Sequence, residues 1–140
     1  MDQEGDLAQP APIAPEERLA RFEFDKGAYV RADGNPRPRA FYPSFDEERQ
    51  RLETSLFRIQ GLAVETIWAR GDRAGATRGK TASGYCSLPA GSVATAGLRV
   101  ENDVPPDLHA VILGWPEHEE LKLDRASVLA AAAAGGGRRR

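Results

Sequence analysis

The stretch Leu108-His109-Ala110-Val111-Ile112-Leu113-Gly114-Trp115, running into Pro116-Glu117-His118-Glu119-Glu120-Leu121, decides the fold class. Its first half is apolar on both alternating faces. Leu108, Ala110 and Ile112 lie on one face, and His109, Val111, Leu113 and Trp115 on the other. A strand of this kind has to be covered on both sides. The second half opens with proline, which suits a first helical turn, and with acids, which suit the positive end of a helix dipole. Leu121, Val128, Leu129 and Ala132 add an apolar stripe. The pattern predicts a helix that follows the strand and packs on its sheet.

Upstream, Phe22, Phe24, Ala28 and Val30 alternate with Arg21, Glu23, Asp25 and Arg31, the period of a half-buried strand. Asp33-Gly34-Asn35-Pro36 reads as a turn. Ala40 to Tyr42 reads as the returning strand, with Pro43 marking it as an edge. Ser44 to Arg51 reads as loop or a short turn. A further strand covers Ser55 to Ile59 and closes at Gly61. Leu62 to Arg70 predicts a short helix stopped by Gly71, and Gly71 to Gly84 a mobile loop. Pro89 to Ala96 predicts a second short helix, Leu98 and Val100 a short extended piece, and Asn102 to Pro106 a loop. The expected fold class is α+β: a small mixed or antiparallel sheet with the C-terminal helix packed on it. The chain's 140 residues suit a single domain over residues 20–132. Residues 1–19, with Pro10, Pro12 and Pro15, read as a disordered arm. Residues 133–140 read as a flexible tail of glycine and arginine.

Composition excludes several classes. Nineteen basic residues against 21 acidic ones give a net charge of −2, unlike a dedicated nucleic-acid coat. The one cysteine, Cys86, allows neither an intrachain disulfide nor a cysteine-based zinc site. The acidic start has no apolar run behind it, so no signal peptide is read. No apolar stretch nears the ~18–20 residues that a membrane span needs. The expected location is the cytoplasm. Arginine outnumbers lysine 16 to 3, a composition of GC-rich genomes that points to a bacterial source.

Four residues form the candidate functional surface: Arg58, Trp68, His109 and Trp115. Arg58 stands among Leu56, Phe57 and Ile59 and needs a carboxylate or a ligand anion; Glu53, Glu65 and Asp103 are candidates. His109 opens the apolar strand. It reads either as a general acid or base, or as a rim histidine bonded to a loop carbonyl. Trp68 and Trp115 precede chain breaks and read as core caps, or as a binding surface if exposed together. Ala74-Gly75-Ala76-Thr77-Arg78-Gly79-Lys80-Thr81 fits a loose phosphate-loop pattern. It lacks the apolar strand before and the helix start after, and reads as a basic loop. His118 with Glu119 and Glu120 lacks the second histidine of a helical zinc site, so neither metal nor cofactor is expected. Cys86 reads as a small buried hydrophobe.

Several segments resemble a group of short, uncharacterised bacterial proteins: Ser55-Leu56-Phe57-Arg58-Ile59-Gln60-Gly61-Leu62, Ile67-Trp68, Ala96-Gly97-Leu98, Pro105-Pro106 and His109 to Pro116. The similarity spans roughly residues 20 to 130. That group has arginine where this chain has Leu108, and a polar residue where it has Val111. An arginine–histidine partnership there has no counterpart here. The resemblance implies a shared fold and a soluble bacterial protein. It supplies no activity, and no catalytic residue is assigned from it.

Small size, no cofactor motif and polar arms favour an interaction module: an accessory or regulatory protein with a protein partner, in a defence or toxin–antitoxin gene cluster. The alternative is a small enzyme acting on a nucleotide or nucleic acid, of an ADP-ribosyltransferase-like toxin type, using Arg31, Tyr42, Glu53, Arg58 and His109. Nucleic-acid contact through the 70–80 loop and Arg138, Arg139 and Arg140 is the third reading, and the acidic balance disfavours it.

Overall fold

The computed structural model describes residues 10–24, 29–31 and 35–139. Seven strands form one antiparallel sheet: β1 (Arg18–Phe24), β2 (Ser44–Asp46), β3 (Arg51–Arg58), β4 (Ala82–Pro89), β5 (Arg99–Asn102), β6 (His109–Leu113) and β7 (Ala134–Arg138). Their order is β5-β6-β3-β1-β4-β7, with β2 hairpinned onto β3. The helices are α1 (Val64–Ala76), α2 (Gly91–Thr95) and α3 (Glu119–Ala132), and a single 3-10 turn covers Pro38–Phe41. The α+β class with a C-terminal helix on an antiparallel sheet is the one the sequence predicts.

Strand alternation sorts side chains into two cores. Leu19, Leu56, Leu88 and Ile112 face α2, α3 and the 3-10 turn, where they meet Val93, Phe41, Ala126 and Leu129. Ala20, Phe22, Phe57 and Tyr85 face the other way and meet Ile67 of α1. The molecule is therefore helix, sheet, helix in three layers. Each fully buried leucine contributes on the order of 1.5–3 kcal/mol to this arrangement.

The sheet is not continuous. β1 pairs with β4 along its whole length, from Arg18↔Pro89 to Phe24↔Ala82. It pairs with β3 only at Leu19↔Arg58 and Ala20↔Phe57. β3 instead runs on beside β6, from Phe57↔His109 to Thr54↔Ile112. Beyond Ala20 the two strands part, and this split opens a cleft.

Several local expectations are corrected. The span read as a mobile loop, 71–84, is the second half of α1 followed by the start of β4. Gly71 does not stop the helix; it lets the helix lie flat. A Cβ there would sit 2.6 Å from the Phe22 ring, and one at Gly75 2.6 Å from the Lys80 carbonyl oxygen. Ala40 to Tyr42 is not a returning strand: Ala40 and Phe41 end the 3-10 turn and Tyr42 caps it, and an isolated bridge joins Val30 to Pro36. Pro116 lies ahead of α3 rather than in it. His118 is the N-cap, its side chain accepting from the Glu120 N–H. The arm's boundary also moves: β1 begins at Arg18, the Ala90 N–H donates to the Glu17 carbonyl, and the Gly91 N–H to the Pro15 carbonyl. At the other end, Ala134–Arg138 is a strand on β4, not a free tail. Residues 1–9, Asp25 to Ala28, the turn residues Asp33 and Gly34, and Arg140 lie outside the described residues. Among the described residues, no helix is long and apolar enough to cross a membrane.

Candidate functional site

Where β1 and β3 part, a cleft of about 750 Å³ opens between the sheet, the end of α1 and the β5–β6 loop. Arg21 spans the gap at its base. Its Nε donates to the Ala40 carbonyl at 2.7 Å, and its Nη1 to the Ser55 carbonyl of β3 at 3.1 Å. Burial pulls this guanidinium down from its ordinary range; the neighbouring Cys86 thiol acts in the opposite sense and Arg78 adds to the lowering. Among the described residues Arg21 has no carboxylate partner. Buried charges are ordinarily paired, because an isolated one loses its hydration without return.

Two further guanidiniums overlook the cleft. Arg73 comes from the last turns of α1. Arg78, from the turn after it, lies 5.0 Å from the centre of the Phe24 ring. Phe22, Phe24 and Phe57 supply apolar walls, and no acidic side chain lines the cleft among the described residues. The turn bearing Arg78 closes a helix C-terminus: the Arg78 and Lys80 N–H groups both donate back to the Gly75 carbonyl. These N–H groups are spent within the chain, so the phosphate-loop pattern has no phosphate-binding geometry behind it.

His109 lines the same cleft from β6. Its Nδ1 lies 2.9 Å from the Asp103 backbone carbonyl and 3.1 Å from Asp103 Oδ2. Both neighbours are acceptors, so Nδ1 carries the hydrogen, and in the neutral ring Nε2 is left as the acceptor. Asp103 is held in turn by Arg49, whose Nη1 and Nη2 donate to its two oxygens at 2.8 and 3.1 Å. The imidazole packs against the Phe57 ring, with centroids 5.1 Å apart. Leu108, just before it, takes a left-handed φ of 70°, a conformation that costs a leucine ~1 kcal/mol or more and is common where a site residue must be aimed.

The other sequence candidates do not join His109. Arg58 reaches none of Glu53, Glu65 or Asp103. It pairs with Glu17 through Nε at 2.5 Å and Nη2 at 2.8 Å. The same guanidinium donates to the Ala11 carbonyl at 2.6 Å and to Asn102 Oδ1 at 3.0 Å. It faces a larger cavity, about 1060 Å³, beneath residues 10–17. There the charge is already met by Glu17, so Arg58 ties down the N-terminal segment. Trp115 is 8% exposed in the α3-side core, and its Nε1 has no hydrogen-bond partner among the described residues. Trp68 packs edge-on against Tyr85 at 5.0 Å, beneath the Arg139 guanidinium. Arg139 also pairs with Asp72, and Arg138 with Glu23. Cys86 is fully buried and its thiol is pushed up to about 12, chiefly by that burial.

Sequence reasoning missed Arg21, Arg49 and Arg73, placed Arg78 only in a basic loop, and offered Asp103 to Arg58 rather than to His109. Arg21 sits on the polar register of an alternating strand, which reads as a solvent face. It is half-buried because the 3-10 turn closes over that register, where the Ala40 carbonyl takes its Nε–H, a long-range event. Asp103 carried a signal, being one of the few acids close to His109 in the chain.

Among the described residues no group of histidine, cysteine, aspartate and glutamate is placed to hold a metal ion. Comparison with family models, with curated proteins and with solved structures finds no match to this chain.

Proposed function

We propose that the protein binds a small organic anion, of nucleotide size and charge, in the cleft between α1 and the sheet. The observation that carries this reading is Arg21, a half-buried guanidinium on a cleft wall with no carboxylate to meet it among the described residues. A phosphate or carboxylate group supplies that charge, and guanidiniums take such groups in bidentate fashion. The cleft's volume falls within the roughly 300–1,000 Å³ common for small-molecule sites. Phe22, Phe24 and Phe57 line the cleft with aromatic rings. The chain is acidic overall, yet this cleft gathers Arg21, Arg73 and Arg78, which focuses positive potential on one spot. Calorimetric titration with AMP and with inorganic phosphate tests the reading. Binding that weakens at least tenfold in Arg21→Met supports it; equal binding by both proteins overturns it.

A second reading, a protein-interaction module, draws on α3. Leu121, Leu123 and Val128 are 45%, 44% and 41% exposed there, a high exposure for large apolar side chains on one helix. In this reading the chain is an accessory or regulatory subunit. Co-purification from the native gene cluster tests it. A partner lost in Leu121→Glu/Val128→Glu supports it, and a chain that stays alone at every expression level counts against it.

A further inference from the structure

The cleft holds more than binding needs. Resting on the anion-binding reading, we propose that the protein hydrolyses a phosphate diester there, with His109 as the general base and Asp103 and Arg49 as its positioning residues. The Nδ1 side of the imidazole is committed to Asp103, and Arg49 takes both of that carboxylate's oxygens. Nε2 is left as the lone-pair nitrogen on a residue that lines the cleft, with no hydrogen-bond partner among the described residues. A carboxylate behind a histidine fixes the tautomer and stabilises the imidazolium that forms on proton uptake. An anion-binding pocket that merely holds its ligand has no use for this chain of three residues.

The ligand class follows from pairing a base with guanidiniums. A monoester dianion reacts through a loose transition state that gains little from a base on the nucleophile. A diester is the poorer electrophile and needs an activated oxygen. In the step proposed, His109 Nε2 takes a proton from water as the water oxygen bonds to phosphorus. The bond from phosphorus to the ester oxygen opposite that water breaks, the leaving oxygen takes its proton from solvent, and the imidazolium gives one up to solvent. The products are a monoester and an alcohol, and no other reactant is consumed. Arg21, Arg73 and Arg78 meet the charge that builds on the phosphoryl oxygens. These three face His109 from β1 and from α1 with its following turn, against Asp103 and Arg49 on the loop side.

Bis(p-nitrophenyl) phosphate, an aromatic diester, is the probe. The wild-type protein is expected to bind it and to release p-nitrophenolate. His109→Gln is expected to bind it within threefold and to turn it over at least 100-fold more slowly, the scale of a lost general base. Asp103→Asn is expected to lose about tenfold or more in turnover and to mix the two neutral tautomers of His109 in ¹⁵N NMR. Removing the carboxylate frees the Nδ1 side of the ring, and a merely structural loss would not mix the tautomers. Wild-type binding without release of p-nitrophenolate overturns the hydrolytic proposal and leaves the anion site standing. So does turnover by His109→Gln within threefold of wild type. No binding at all by the wild type overturns the anion site itself.

Discussion

Asp103 grips His109 at two places. Its carboxylate and its backbone carbonyl both meet the ring at Nδ1, while its backbone N–H donates to the His109 carbonyl at 2.9 Å. Ring and main chain are thereby fixed together at the first residue of β6. The first prediction concerns the tautomer. In ¹⁵N NMR of the neutral protein, His109 should show a protonated Nδ1 and a bare Nε2. Asp103→Asn, which offers an amide in place of one acceptor, should mix the two tautomers. A wild-type ring protonated at Nε2 would contradict the geometry.

Arg21→Met should separate stability from binding. The change leaves the Ala40 and Ser55 carbonyls without their donor, at about 1–3 kcal/mol each. It also removes a half-buried charge without a carboxylate partner among the described residues, whose partial desolvation opposes folding. The two effects offset, so the melting temperature should move by only a few degrees. The rise on adding ligand, about 2.7 kcal/mol at 100 times Kd, should vanish. Differential scanning calorimetry with and without AMP reads both.

Gly71→Val should damage the α1 layer. Its Cβ would lie 2.6 Å from the Phe22 ring and 2.9 Å from the Ala82 Cβ, so helix and sheet must separate. Overpacking of this kind costs on the order of 1–3 kcal/mol. Chemical denaturation would show it as a lower midpoint. An unchanged midpoint would mean that α1 does not lie on Phe22.

How much of this was legible beforehand depends on range. The β6–α3 unit announces itself because Ala110 to Leu113 is apolar on both faces and Pro116 to Glu120 carries helix-start chemistry. β4 does not. Ser83, Gly84, Cys86 and Ser87 have the look of a loop, and only pairing with β1 and β7 on its two sides makes them a strand. His109 was visible as a strand-edge histidine with a loop carbonyl near it. Its partnership with Asp103 and Arg49 was not, since Arg49 arrives from a hairpin 54 residues before Asp103. Arg58 was legible as a residue in need of an anion, and the anion proved to be Glu17 from a segment read as an arm.

The Asp72–Arg139 pair, which fastens the end of β7 beside α1, should be sensitive to acid. Arg139's hydrogen bond, assisted by the Ala82 N–H, holds the Asp72 carboxyl below the usual aspartate range. A depressed carboxyl contributes stability that is present above its unfolded value, near 4, and lost as pH falls through the folded one. Amide exchange at Arg139, whose N–H donates to the Ser83 carbonyl, and at Ala82, whose N–H donates to Asp72 Oδ1, should quicken below about pH 4 before the core strands do. Uniform exchange across β4 and β1 would contradict this order.

Cys86 should be inert. Its thiol is buried and pushed up to about 12, so almost no thiolate exists at neutral pH. The native protein should leave a disulfide reagent unreacted at pH 8, and the unfolded protein should react with one equivalent. Rapid labelling of the native chain would mean that the core around β4 opens readily.

The central claim is that Arg21 and His109 share one anion site. The most direct test follows both side chains by ¹⁵N NMR while AMP is added. The account predicts saturable shifts of the Arg21 Nε–H and His109 Nε2 signals with one common dissociation constant, both absent in Arg21→Met. Shifts confined to the Arg58 side of the molecule, or none at either residue at millimolar AMP, would contradict it.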